Sequence, residues 1–249
     1  MSTKVRFFQK PLTLIVSILY FSVFIFSTLA AESKSTFLSI IKDRFSKTPF
    51  VLTIGEQIMD FANIAAPLLL ALAFASLFFL YKRLPLLSAT VLLVAALGAL
   101  CGITVFVCLN AYNIIETFNA HSNAVELASD NAGELSNLLL TLIPYHFLLI
   151  IYAGCLVNFS IGVKKLALNK TVKSGSALAF SAVNALLSIW HLLTLIFTPD
   201  VVSNYFYIHY IDKSEYIYSE ISNILCFAVV SIFCFFFARS LKASKTDNA

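Results

Sequence analysis

Long apolar stretches make up most of this chain, and short polar segments punctuate them. Six stretches contain no Asp, Glu, Lys or Arg: residues 11–30, 61–80, 84–109, 138–163, 176–197 and 221–237. They lack the two-residue alternation of a half-buried strand, and they are apolar on every face. About 20 such residues are needed for a helix to cross the hydrocarbon core of a bilayer. Lipid offers no partners to backbone N–H and C=O groups, so an unclosed chain crosses it only as helix. Strands of an outer-membrane barrel are ~10 residues long with alternating polarity, a pattern absent here. The expected fold is therefore all-α: one polytopic transmembrane helical bundle of six spans over residues 1–249.

The connections carry patterns of their own. Phe37, Leu38, Ile41 and Phe45 recur at helical spacing in residues 31–60, with Lys42, Asp43, Arg44 and Lys47 on the other side. This pattern predicts an interfacial amphipathic helix in the first outer loop, ended by Pro49. Ile114, Ile115, Phe118, Val125 and Leu127 prolong the third span's pattern, so that span is expected to continue as one long helix, with a break at Gly133 before the fourth. Pro67 and Pro144 are expected to interrupt the second and fourth spans.

Composition sharpens the class. The chain has 249 residues, 59% hydrophobic and only 12% charged, against about 25% charged in a soluble domain. A soluble enzyme, a disordered chain and a disulfide scaffold are excluded on that ground. The charged residues also segregate. With the N-terminus placed inside, Lys4, Arg6, Lys10, Lys82, Arg83, Lys164, Lys165, Lys170, Lys173, Arg239, Lys242 and Lys245 are cytoplasmic, leaving five of the 17 Lys and Arg outside. Basic residues in short loops set orientation, so the chain is expected to be N-in and C-in. All acidic residues except Asp247 then fall outside. The net charge of +4 is the sum of a basic inner and an acidic outer face, so the bilayer is the expected partner and nucleic acid is not. The first run is too long for the ~7–15-residue core of a signal peptide and is read as an uncleaved span.

Candidate chemistry is sparse. No charged residue stands mid-span, which leaves His146 and His191 as the ionisable groups to consider, at similar depth in the outer halves of spans four and five. The fifth span bears a polar stripe, Ser181, Asn184, Ser188 and His191, with Thr194 or Thr198 beyond; steps of three and four place it on one helical face. It predicts either hydrogen bonds between helices or the lining of a solute pathway. The outer loops offer an acidic group, Glu116, Glu126, Asp130 and Glu134, and a tyrosine group, Tyr205, Tyr207 and Tyr210. Together they form a candidate surface for a protein partner on the outer side. The five cysteines all fall within spans without a CxxC, and no HExxH, GxSxG or P-loop occurs. No catalytic residue, metal site or cofactor is expected. No outer loop carries a glycosylation triplet, which fits a bacterial inner membrane.

These features lead to a non-enzymatic inner-membrane protein that binds a partner through its outer loops and bundle, as an immunity protein against a membrane-active toxin or a subunit of a complex would. The alternative is a small-solute transporter or channel using the polar face of the fifth span. A further alternative is a haem or metal protein using His146 and His191. The orientation is directly testable: single cysteines at Ser122, Ser214 and Ser174 in a cysteine-free chain are treated with an impermeant thiol reagent in intact cells. Ser122→Cys and Ser214→Cys should label and Ser174→Cys should not; labelling at position 174 alone would reverse the topology.

Overall fold

Apolar length becomes continuous helix. The computed structural model describes the backbone of residues 7–31, 50–122, 128–197 and 213–246, and side chains over 7–26, 65–108, 143–196 and 217–243. Six helices occupy the described backbone: α1 (Pro11–Ala31), α2 (Phe50–Leu80), α3 (Pro85–Ser122), α4 (Ala128–Ala167), α5 (Gly175–Phe197) and α6 (Lys213–Thr246). No strand occurs among the described residues. Four helices hold apolar stretches long enough to cross a membrane: Pro85–Cys108, Ile143–Ala167, Gly175–Ile196 and Ile217–Ala243. The described apolar parts of α1 and α2, Pro11–Phe26 and Ala65–Leu80, are shorter. The chain is thus an all-helical, multi-pass membrane protein.

Helix ends follow local chemistry. Proline opens α1 at Pro11 and α3 at Pro85, where its missing N–H costs no intrahelical bond. At the end of α4, Asn169 adopts a left-handed φ of 55°. The Lys170 amide bonds the Lys165 carbonyl at 2.9 Å and the Asn169 amide bonds that of Leu166 at 3.0 Å. This is a Schellman cap, with Asn taking the position glycine most often fills. Lys164 and Lys165 sit in that last turn, where positive charge meets the negative end of the helix dipole.

Several expectations are revised. The third span does continue as one helix, since α3 runs to Ser122, but α4 starts at Ala128 and passes through Gly133 without a break. Pro67 and Pro144 lie inside continuous helices. A long helix tolerates the one missing backbone bond when neighbouring helices hold both sides of it. Helix α2 begins at Phe50, well before residue 61, and α6 begins at Lys213, before residue 221. The expected interfacial helix lies outside the described residues.

Each helix packs on its neighbours in sequence, and α1 closes against α6, making a ring. Residue pairs count in opposite directions along the joints of α6 with α5 and with α1, and likewise between α2 and α3 (Ser76 with Ser88, Leu69 with Gly98) and between α4 and α5 (Tyr145 with Trp190, Phe159 with Phe180). Ser181 meets Ser231 while His191 meets Glu220; Phe7 meets Phe237 while Phe26 meets Tyr218. The helices therefore alternate up and down, and the described chain starts and finishes at the same end. Lys10, Lys82, Arg83, Lys164, Lys165, Lys170, Lys173, Arg239 and Lys242 are all grouped there.

The middle of the ring is aromatic. Phe8, Phe74, Phe159, Phe180, Phe233 and Phe237 are almost wholly buried. Phe74 meets Phe233 edge-on at 5.6 Å, Phe159 stacks on Phe180 at 5.3 Å, and Phe8 lies 5.2 Å from Phe237. Across the ring, the hydroxyls of Tyr20 on α1 and Tyr152 on α4 are hydrogen-bonded at 3.0 Å. The short turn before α1 contributes Phe7 and Phe8 to this core, with Lys10 over the Phe7 ring. Phe8 also packs on Tyr81, in the turn between α2 and α3, at 4.6 Å. Burial pushes the Tyr81 hydroxyl up to about 12, so it stays neutral at physiological pH.

Phe8→Ala should leave a cavity under Tyr81 and Phe237 and cost roughly 3 kcal/mol or more. Phe79→Ala, at a lipid-facing position 65% exposed, should cost far less. Unfolding of the purified chain in mixed micelles measures both.

Candidate functional site: the polar seam between α5 and α6

Small and polar residues recur on facing sides of α5 and α6. On α5 they are Ala177, Ser181, Asn184, Ser188 and His191, in steps of four and three. On α6 the same steps link Glu220, Ile224, Phe227, Ser231, Cys234 and Ala238. This is the 3.5-residue repeat of a coiled-coil seam, in which facing side chains stay in register along two helices. Small side chains let the backbones approach, so a serine hydroxyl can reach a carbonyl of the other helix.

The expected stripe on the fifth span faces α6. Ser181 donates to the Ser231 carbonyl at 2.8 Å, with the Ser231 hydroxyl 3.2 Å away. Ser188 donates to the Ile224 carbonyl at 3.0 Å. Asn184, wholly buried, donates its amide to the Phe180 carbonyl one turn back at 2.7 Å. Thr194 donates to the His191 carbonyl at 2.9 Å. At the end of the seam away from the basic residues, His191 Nδ1 and Glu220 Oε2 are 2.8 Å apart, and both residues are buried.

Glu220 corrects the sequence reading. It stands just before the expected sixth span, residues 221–237, and no acid is expected within a span. The structure puts it inside the apolar stretch Ile217–Ala243, with 8% of its surface exposed. A carboxylate is tolerated at such a place because the imidazole meets it at hydrogen-bond distance. The sequence did hold a signal for it. Glu220 starts the four-three repeat of α6, and the repeat brings it opposite the last polar residue of α5.

Aromatic rings fix the imidazole. Phe227 stacks on His191 at 5.5 Å with 14° between planes, and Tyr145 of α4 meets it edge-on at 5.7 Å. Tyr145 also stacks on Trp190 and lies 6.3 Å from the ring of His146. Both histidines thus flank one tyrosine at the end of the bundle away from the basic residues. His146 packs edge-on against Phe106 of α3 at 5.6 Å. It is buried, and its Nε2 has no hydrogen-bond partner among the described residues; the same is true of the Asn184 Oδ1 and the Ser222 hydroxyl. Among the described residues, no three His, Cys, Asp or Glu stand close enough to hold a metal ion.

The expected partner surface is only partly placed. Glu116 falls on α3 beyond its apolar stretch, and Asp130 and Glu134 on α4 before its apolar stretch. Their side chains, together with Glu126, Tyr205, Tyr207 and Tyr210, lie outside the described residues. The fold and this seam define a multi-pass helical membrane protein with a line of buried polar side chains along one helix–helix joint. No family model, curated protein or solved structure matches the chain.

The pair makes a quantitative expectation. Removing one member leaves the other buried without its partner, which costs roughly 3–5 kcal/mol. His191→Leu and Glu220→Leu should each destabilise on that scale, and the double variant by much less than their sum. A double-mutant cycle on unfolding in mixed micelles reads the coupling directly; additive single effects would show that the two side chains do not interact.

Proposed function

We propose that this protein is a six-span, N-in and C-in protein of a bacterial inner membrane, and that it acts without enzymatic chemistry by binding a protein partner through its outer loops and bundle. Immunity against a membrane-active toxin and service as a complex subunit are the forms this activity would take. The observation that carries the reading is the condition of the fifth-span stripe. Ser181, Ser188 and His191 bond across to α6, and Asn184 donates to its own helix. A solute pathway needs polar groups turned toward an open route, and these are turned into a joint. The middle of the ring, where six helices would otherwise leave a channel, holds the rings of Phe74, Phe159, Phe180 and Phe233. Supporting the outer location, α3 and α4 continue past their apolar stretches and carry Glu116, Asp130 and Glu134. Acidic groups in such positions steer basic partners.

One observation favours the second reading, a solute or proton transporter. Ionisable groups buried within apolar spans recur along ion and proton routes, and the His191–Glu220 pair is of that kind. The unpartnered His146 Nε2 and Asn184 Oδ1 lie in the same helices, α4 and α5, that frame it.

Two blocks of substitutions separate the readings in whatever phenotype deletion of the gene produces. One block neutralises the loops: Glu116, Glu126, Asp130 and Glu134 to Gln or Asn, with Tyr205, Tyr207 and Tyr210 to Ala. The other replaces Ser181, Asn184 and Ser188 with Ala. Insertion and accumulation are checked first, because loss of interhelical bonds can loosen a bundle. Partner binding requires the loop block to abolish function and the seam block to preserve it. The reverse pattern would discard partner binding in favour of transport.

A further inference from the structure

The outward face of α4 carries a stripe that the bundle does not use. Phe147, Ile151, Gly154, Asn158, Ile161 and Lys165 recur in steps of four and three, opposite the face that holds Tyr152, Leu156, Phe159 and Val163 in the core. Phe147, Ile151, Asn158, Ile161 and Lys165 are exposed. At Gly154 an added methyl group would meet no atom within 4 Å, so the stripe has a notch one turn from Asn158. Asn158 is the anomaly. It stands within the apolar stretch Ile143–Ala167, six residues from Lys164, or ~9 Å along the axis. Its short side chain cannot reach the headgroups as lysine does. Its amide makes no hydrogen bond with any described residue, whereas Asn184 on α5 turns back to its own helix. An unpartnered amide in hydrocarbon is costly, and polar side chains in such places act as links between helices.

We propose that this face of α4 is a dimer interface, and that its occupant is α4 of a second copy of the same chain. The chemistry of the amide selects a copy over other partners. A carboxamide both donates and accepts, so it is its own complement. Two copies inserted in one orientation, related by a two-fold axis along the membrane normal, bring their α4 helices together in parallel, with Asn158 opposite Asn158 at equal depth. Such an interface is isologous. The four-three repeat supplies the flanking knobs, the notch at Gly154 admits close approach, and a single asparagine in an apolar seam fixes register. The inference requires only that α4 crosses the membrane; it is independent of whether the outer loops bind a partner.

The test uses the full chain in lipid vesicles, with oligomeric state counted by single-molecule photobleaching across a range of protein-to-lipid ratios. The wild type should be dimeric. Asn158→Leu should dimerise roughly tenfold more weakly, the scale of one interhelical polar link, and Asn158→Gln should retain much of the wild-type affinity. Because Asn158 faces outward, the leucine variant should unfold at the wild-type midpoint. A second measurement works in native membranes: with Cys101, Cys108 and Cys155 replaced by Ala, Gly154→Cys should form an oxidative cross-link between copies. Adding Asn158→Leu should suppress that cross-link, and Leu97→Cys on the exposed face of α3 should not form one. A monomeric wild type, an Asn158→Leu variant that dimerises as the wild type does, or equal cross-linking at positions 97 and 154 would each overturn the proposal. None of these outcomes bears on the loop and seam substitutions, so the two readings fail separately.

Discussion

Hydrocarbon cannot satisfy a polar group, and the arrangement of this bundle follows from that constraint. Every backbone N–H and C=O within a span must be bonded inside its own helix, which leaves side chains to tie the helices together. They do so mainly through serine. Ser17 of α1 donates to the Ala71 carbonyl of α2, Ser88 of α3 to the Ser76 carbonyl of α2, and Ser181 and Ser188 of α5 to carbonyls of α6. Serine suits this task. It is small enough to let two backbones come close, and its hydroxyl can use a carbonyl's second lone pair without breaking the helix that carbonyl belongs to. The His191–Glu220 pair is the same solution on a larger scale, with two ionisable side chains meeting each other.

Where polar ties are few, rings hold the helices. Tyr145 of α4 stacks on Trp190 of α5, Phe106 of α3 meets His146 of α4, and Phe159 stacks on Phe180. Lipid tails are as apolar as a phenylalanine side chain, so burying these rings brings little hydrophobic gain. Their contribution is contact: flat, rigid groups packed at 5–6 Å between centroids lose few rotamers and make many dispersion contacts. The result is polarised along the membrane normal. The end bearing the basic residues is closed by Phe7, Phe8, Tyr81 and Phe237. The opposite half holds His146, His191, Glu220 and Ser222 among its buried residues.

The seam also explains why polarity on α5 is compatible with a stable bundle. A stripe of four polar side chains facing lipid would oppose insertion. Turned onto α6, the same residues bond to carbonyls or to Glu220, and among the fully buried atoms of the stripe the Asn184 Oδ1 has no partner among the described residues. A polar stripe is therefore ambiguous until its neighbour is known, because a joint between helices and the wall of a pathway use the same residue types at the same spacing.

Much of this protein was already determined by its sequence. Apolar length and the absence of any alternative to helix in lipid set the helices, and the special face of α5 follows from steps of three and four. Ser181, Asn184, Ser188 and His191 were legible as one face for that reason. Their partner was not. Periodicity says which side of a helix is special and nothing about which helix comes to meet it, and only packing decided that α5 faces α6 and that α1 closes the ring. Glu220 was misplaced by the same limit. Counted by itself, a carboxylate belongs outside an apolar span, and only a histidine brought to 2.8 Å from a helix 29 residues earlier makes its burial tolerable. Helix likewise runs through Gly133, Pro67 and Pro144, where local propensity argued for breaks; a membrane-spanning helix can absorb one missing backbone bond by local adjustment.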